Sequence, residues 1–286
     1  KRRTRVNKIN YQKINEQFIK YLNSDKFKNE KSFNCANIIP LRENLKPYTG
    51  VNMFILWMQD KPNPVWMGPK TALKHGINIK GASCVKILIP KVVKDHETDE
   101  SMCVGFFTGN VLNLSDCTNI PEKYAKLQNT TFKNEEKRHA ELDAFFAAQN
   151  IEFVIGNGTP CYMLNKDCIR MPDYSEFKSA RSYYSIKAHE YIHATGHDTR
   201  LKRTMVGNKN TKSYAFEELI AEIGSAFVTA HFGLDSKVKD DNIAYVNHWI
   251  GFLKKDEKFI IEASRKAQNA FEYMLHKYEL SQKIAA

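Results

Sequence analysis

Apolar positions recur at intervals of three and four along some stretches of this chain and in alternation or short runs along others, so the pattern predicts both helices and strands. Ile9, Ile14, Phe18, Ile19 and Leu22 form a stripe at roughly helical spacing, which predicts a helix within residues 1–28 with one basic face. The apolar run Met53–Met58 fits a short helix or a strand, and periodicity does not separate the two. Trp66 opens a short helix closed by Gly76, and a turn through Gly81 leads into a strand over Val85–Val93. Met102–Phe107 reads as a second strand, with the acidic run Asp95–Glu100 as the hairpin tip between them. Residues 108–134, rich in Asn, Asp, Thr and Pro, predict an irregular connector and a domain boundary.

Beyond that connector, Glu135–Gln149 reads as helix, and Glu152–Ile155 and Thr159–Leu164 as strands. Phe216, Leu219, Ile220, Ile223, Phe227 and Ala230 mark the buried face of a later helix. Residues 241–280 form further helix, with Tyr245, Trp249, Ile250, Phe252, Leu253, Ala263, Ala267, Ala270 and Met274 inside and His248 and His276 partly buried. The fold class is α+β: a small mixed domain over about residues 1–125, then a mainly helical domain over 126–286. A length of 286 residues suits two domains with real cores.

Charge sharpens that division. Residues 1–94 hold 19 Lys+Arg against 5 Asp+Glu, whereas residues 95–286 hold 24 against 27. So basic a first third points to a polyanionic partner, most simply nucleic acid, although scattered lysines also occur as plain solvated surface. Six cysteines with no CxxC pair argue for reduced thiols in a cytoplasm, nearly all as small core residues. With no run of 18 apolar residues and no signal-like start, a soluble protein not secreted by that route is expected. The absence of GxxxxGK[ST] argues against a nucleotide cofactor.

The chemistry centres on His189-Glu190-Tyr191-Ile192-His193. Two histidines four apart on a helix reach one metal ion, and the glutamate between them can touch a water on it, the HExxH pattern of zinc hydrolases. A catalytic zinc needs a third protein ligand. The extended HExxHxxGxxH pattern fails, because Thr199 stands at its last position. A glutamate from the later helix serves instead: Glu218 is the expected ligand and Glu222, one turn on, the acceptor that orients a ligand histidine, with the swapped assignment open. Zn²⁺ or another divalent ion at His189, His193 and Glu218 would lower the pKa of a bound water, with Glu190 as the catalytic base. Pro160–Leu164 is the candidate strand for pairing with an extended peptide substrate. His231, His197 and Tyr214 are candidates to hold a developing oxyanion.

Residues 180–203 and 214–222 closely resemble the C-terminal metallopeptidase domain of ArdC-type antirestriction proteins, and Ile169-Arg170-Met171-Pro172 resembles the segment preceding the metal helix there. Upstream, Tyr48, Gly50, Asn52, Trp66, Gly76, Lys80 and Gly81 stand at positions similar to the N-terminal domain of that family, while residues 33–40 lack the tryptophan usual before the proline. The resemblance implies a zincin-like (gluzincin) peptidase domain behind a domain that binds single-stranded DNA, carried on a plasmid or phage and acting in the cytoplasm of a bacterial host, made there or delivered with incoming DNA. Single strands are held by basic groups on phosphates and aromatic faces on bases. Candidate contacts are Lys1, Arg2, Arg3, Arg5, Arg42, Lys46, Tyr48, Asn52, Trp66, Lys70, Lys74 and Lys80. The competing readings are a peptidase effector that cleaves one host protein, and a DNA-coating protein whose metal site is not proteolytic.

Overall fold

The computed structural model describes residues 11–30, 39–94, 101–129, 135–205, 211–234, 246–256 and 258–285. The chain divides into two compact units, one of Lys1–Ile14 with Ile39–Thr130 and the other of Asn15–Ile38 with Thr131–Ala286. The expected domain of residues 1–125 therefore gives up residues 15–38 to the second unit. Asn15 shows why: its buried amide donates to the Leu253 and Asp256 carbonyls, 2.7 and 2.9 Å away, at the end of a C-terminal helix.

The first unit holds a three-stranded antiparallel sheet in the order β1 (Trp66–Met67), β3 (Ser101–Asn113), β2 (Cys84–Lys94). Trp66 therefore sits in a strand rather than opening a helix. Helix α4 starts at Pro69, where a missing N–H costs nothing, and ends at Lys74. Met53–Met58 proves helical as α3 (Val51–Trp57), whose residues are all buried except Asn52. The expected connector is shorter than its composition suggests, because β3 continues to Asn113 and packs Leu112 against Val65, Met67, Leu114 and Tyr124 in the core. Only after Asn113, whose side chain accepts the Ser115 N–H, does the chain turn off. A short helix α5 (Glu122–Ala125) and the 3-10 turn after it (Lys126–Asn129) close this unit, and residues 95–100, the expected hairpin tip, lie outside the described residues.

The N-terminal helix is broken into α1 (Tyr11–Leu22), which belongs to the second unit from Asn15 on, and α2 (Asp25–Glu30). Helix α6 (Glu135–Ala147) precedes a sheet of order β4 (Glu152–Ile155), β6 (Cys168–Met171), β5 (Cys161–Met163), parallel on the β4 side and antiparallel on the β5 side. The expected strand 159–164 is thus only three residues long, followed by a single 3-10 turn, and it lies at a sheet edge. Two largely buried helices carry the chemistry: α7 (Ala180–Thr195), capped by Ser179, and α8 (Lys212–His231), capped by Thr211. Their close approach rests on Gly224, where an added Cβ would lie 2.7 Å from the Ile192 side chain. The expected helix over 241–280 is two, α9 (Val246–Lys255) and α10 (Phe259–Ala285). Trp249, Leu253, Ala263, Ala267, Ala270 and Met274 are core as expected, Ile250 and Phe252 are half-buried, and Tyr245 lies outside the described residues. His248 and His276 are exposed rather than partly buried.

Candidate metal centre

Helix α7 presents His189 and His193 one turn apart, and α8 brings Glu218 against both. The His189 and His193 Nε2 atoms lie 3.1 Å apart, and Glu218 oxygens lie 3.4 Å from the first and 3.5 Å from the second. Ligands held tetrahedrally at zinc-like bond lengths stand about 3.4 Å from one another, so the donor set and its spacing fit a divalent ion of this type. The three ligand atoms lie within 4.8 Å of one another on buried residues, and no other such cluster occurs among the described residues.

Carboxylates surround the imidazoles on their far sides. Glu222 lies 3.3 Å from His189 Nδ1, and Glu217 lies 3.2 Å from His193 Nδ1. Glu218 thus meets both Nε2 atoms while Glu222 touches only the back of one ring. Glu217 was missed in the sequence. Buried Arg203 anchors it, donating to its two oxygens at 2.7 and 3.0 Å and also to Thr195 Oγ1 and the Ile192 carbonyl, both at 2.7 Å. The sequence signal was three glutamates at 217, 218 and 222 opposite the HExxH helix, with an arginine ten residues past its second histidine.

Burial alone would make both imidazoles harder to protonate, but the carboxylates outweigh it. Glu218 and Glu217 raise His193 to about 10, and Glu222 with Glu218 raises His189. Burial would likewise raise Glu218 and Glu217, yet the imidazoles hold both below the usual carboxylate range, with Arg203 helping at Glu217. The nest is built for positive charge.

Glu190 accepts a 2.8 Å hydrogen bond from the backbone N–H of Tyr162 in edge strand β5. The Tyr162 hydroxyl in turn donates to Asp167 at 2.7 Å, and Arg200 binds both while its Nε donates to the Ala194 carbonyl at the end of α7. This ties the edge strand to the metal helix. A cleft of about 200 Å³ opens here, lined by Cys161, Tyr162, Leu164, Glu190, His193, Met205, Tyr214, Glu217 and Glu218. Of the candidate oxyanion residues, Tyr214 lines it. His231 instead packs against Phe232 and Phe271, and His197 turns toward Thr199. Among the cysteines, Cys117 and Cys168 are buried, but Cys84 is exposed and Cys161 faces the cleft, so the expectation of mostly core thiols holds for half of those described.

The candidate DNA contacts separate cleanly. Arg42, Lys46, Lys70, Lys74 and Lys80 are exposed. Tyr48 and Trp66 are buried, the Tyr48 hydroxyl donating to the Trp66 carbonyl with Arg42 over its ring, and burial pushes that phenol up to about 12. Both rings are core here, not stacking platforms. Asn52 is likewise spent on structure: its amide donates to the Leu88 carbonyl at 2.6 Å and accepts the Leu88 N–H at 2.8 Å. Lys1, Arg2, Arg3 and Arg5 lie outside the described residues.

A helix bearing HExxH, a second helix bringing a glutamate to it and a short sheet whose edge touches Glu190 define a zincin-like metallopeptidase domain. Residues 140–266 match the family described as zincin-like metallopeptidase, and residues 8–148 match the N-terminal domain of anti-restriction factor ArdC. The crystal structure of antirestriction protein ArdC from the R388 plasmid in metal-free form superposes with a TM-score of 0.74 at 30% identity, covering 94% of this chain and 98% of that one. Its Mn(II)-bound form gives 0.76 at 28% identity, over 95% and 98%. The chain belongs to the ArdC-type antirestriction family. Among curated relatives, the uncharacterized protein y4eC of Sinorhizobium fredii is 31% identical over 140 residues, and a DNA primase TraC of Escherichia coli is 28% identical over 258. This chain spans 46% of the length of y4eC and 24% of that primase. Among the described residues, no helix is long and apolar enough to cross a membrane.

Proposed function

We propose that this chain is an antirestriction protein of a mobile element whose first unit binds single-stranded DNA and whose second is a divalent-metal-dependent peptidase, with zinc as the expected ion. The observation that carries the peptidase reading is the convergence of His189, His193 and Glu218 beside Glu190, with Glu222 and Glu217 behind the imidazoles. An ion held by those three residues supplies a Lewis acid and a water of lowered pKa. Glu190 takes the proton of the attacking water on its carboxylate and returns it to the departing amine, while the Tyr162 amide fixes the carboxylate's direction. Tyr214, on the cleft wall, is the candidate to meet the carbonyl oxygen as it gains charge.

The DNA reading is supported by the exposed Arg42, Lys46, Lys70, Lys74 and Lys80, by the lopsided charge and by family membership. One experiment separates the parts: binding to single- and double-stranded DNA across a salt series, and protection of DNA from a restriction enzyme, for the wild type and Glu190→Gln. Preference for the single strand with a steep salt slope supports the first unit's role, and no binding at low salt overturns it. Glu190→Gln is expected to lose peptide hydrolysis and keep metal. Retained protection then makes the peptidase dispensable for that task, and lost protection makes it part of it.

A further inference from the structure

Strands β2 and β3 form a long antiparallel arm whose outer part is not covered: Val92, Val93, Val104 and Phe107 are 54, 46, 53 and 43% exposed. Edge pairing with another chain is blunted along β2. Asn52 already holds the outward N–H and C=O of Leu88, and two residues on, at the next outward position, Pro90 has no N–H to offer. What the arm presents is therefore its side chains.

The register pairs Ile87 with Gly109, Ile89 with Phe107 and Lys91 with Gly105. Strand alternation places Gly105, Phe107 and Gly109 on one face, so a half-exposed ring stands between two residues without side chains. The two flanks differ. Above Gly109 the space is filled, since a Cβ there would lie 2.4 Å from the Ile89 side chain, whereas a Cβ on Gly105 would meet nothing within 4 Å among the described residues. Gly105 also has φ +152, a backbone conformation that L side chains rarely adopt, so the open ground stays open. Across it, in register, stands exposed Lys91.

A bare aromatic ring, a cleared space beside it and an ammonium group at its rim suit a nucleobase and its phosphate. The two strands carry Lys86, Lys91 and Lys94 and no acidic residue, whereas Asp95, Glu97, Asp99 and Glu100 follow in the connection between them. A polyanion is therefore drawn across the arm at the level of Phe107 and repelled from its end. We propose that Phe107 is a base-stacking platform for single-stranded DNA and Lys91 the phosphate contact beside it. This rests on the DNA-binding reading of the first unit and supplies the aromatic contact that buried Tyr48 and Trp66 do not.

The test uses the full chain, a labelled short oligothymidine and an abasic oligonucleotide of equal length, over a salt series. Phe107→Ala is expected to weaken oligothymidine binding about 5- to 100-fold and leave abasic binding within about twofold. Phe107→Trp restores affinity and adds fluorescence that oligothymidine quenches beyond the wild-type change. Lys91→Ala weakens both ligands and reduces the salt slope by about 0.7. If the wild type binds no single strand, the DNA-binding reading itself fails and this proposal with it. The proposal alone is overturned if the wild type binds and Phe107→Ala, unfolding at the wild-type temperature, binds as tightly. It is equally overturned if Phe107→Ala weakens both oligonucleotides alike, or if it alters only the mass of the protein in solution, in which case the face is covered by a second copy.

Discussion

Replacing Arg203 with alanine should damage the metal centre from a distance, because the guanidinium reaches the three candidate ion ligands only through Glu217. It supplies four hydrogen bonds, two of them to Glu217, which holds the Nδ1 side of His193. Without it the Glu217 carboxylate stays buried, with only the imidazole for a charged partner among the contacts described. Breaking a buried ion pair from one side costs about 3–5 kcal/mol, which for a unit of this size lowers the unfolding temperature by about 6–20 °C. Outer contacts of metal-ligating imidazoles are worth about 10–100-fold in metal affinity. Calorimetric titration with Zn²⁺ and thermal unfolding with and without metal measure the two effects separately. The double change Arg203→Met with Glu217→Gln sharpens the test. It removes both charges, so most of the stability returns, while the metal affinity stays low because His193 has lost its anionic partner. Arg203→Ala with unfolding within about 1 kcal/mol of the wild type and unchanged zinc affinity would refute this account of the site.

Four further outcomes are expected. Metal must displace the protons on His189 and His193, so zinc affinity should rise as pH rises from 6 toward 9. The metal-free protein should behave oppositely: its imidazole–carboxylate pairs contribute fully below the ordinary histidine pKa of about 6.5 and are lost as pH rises through the His193 value of about 10, which unfolding measured with chelator at several pH values will show. Gly224→Ala places a methyl 2.7 Å from Ile192 and should wedge α8 from α7, costing about 1–3 kcal/mol together with zinc affinity; a variant that binds zinc normally would mean the helices absorb the methyl without moving Glu218. Asn52→Ala should destabilise the first unit by about 1–3 kcal/mol through the lost Leu88 pairing, with DNA affinity at low temperature unchanged; weakened DNA binding by the folded variant would return Asn52 to the interface.

The sequence reads well where chemistry and periodicity coincide and poorly where a residue type has two uses. His189, His193 and Glu218 were legible because metal ligation demands those residue types at helical spacing, and no apolar core position asks for them. Glu217 was not, since an acidic residue beside a ligand looks like an ordinary solvated carboxylate until Arg203 folds back over it from beyond α7. Tyr48, Trp66 and Asn52 failed in the opposite direction. Aromatic and amide groups serve both nucleic acid and protein cores, and the sequence alone could not show that Trp66 pairs with Asn113 in a strand or that the Asn52 amide closes the edge at Leu88. The long β3 was hidden for a related reason: Asn110 and Asn113 read as turn residues, yet Asn113 lies inside the unit, its side chain donating to the Asn63 carbonyl at 2.8 Å and accepting from Ser115. Polar residues that satisfy buried partners in the interior look in sequence like surface, which is why the full strand and Glu217 behind His193 became visible only in three dimensions, whereas Glu222 was already expected behind an imidazole.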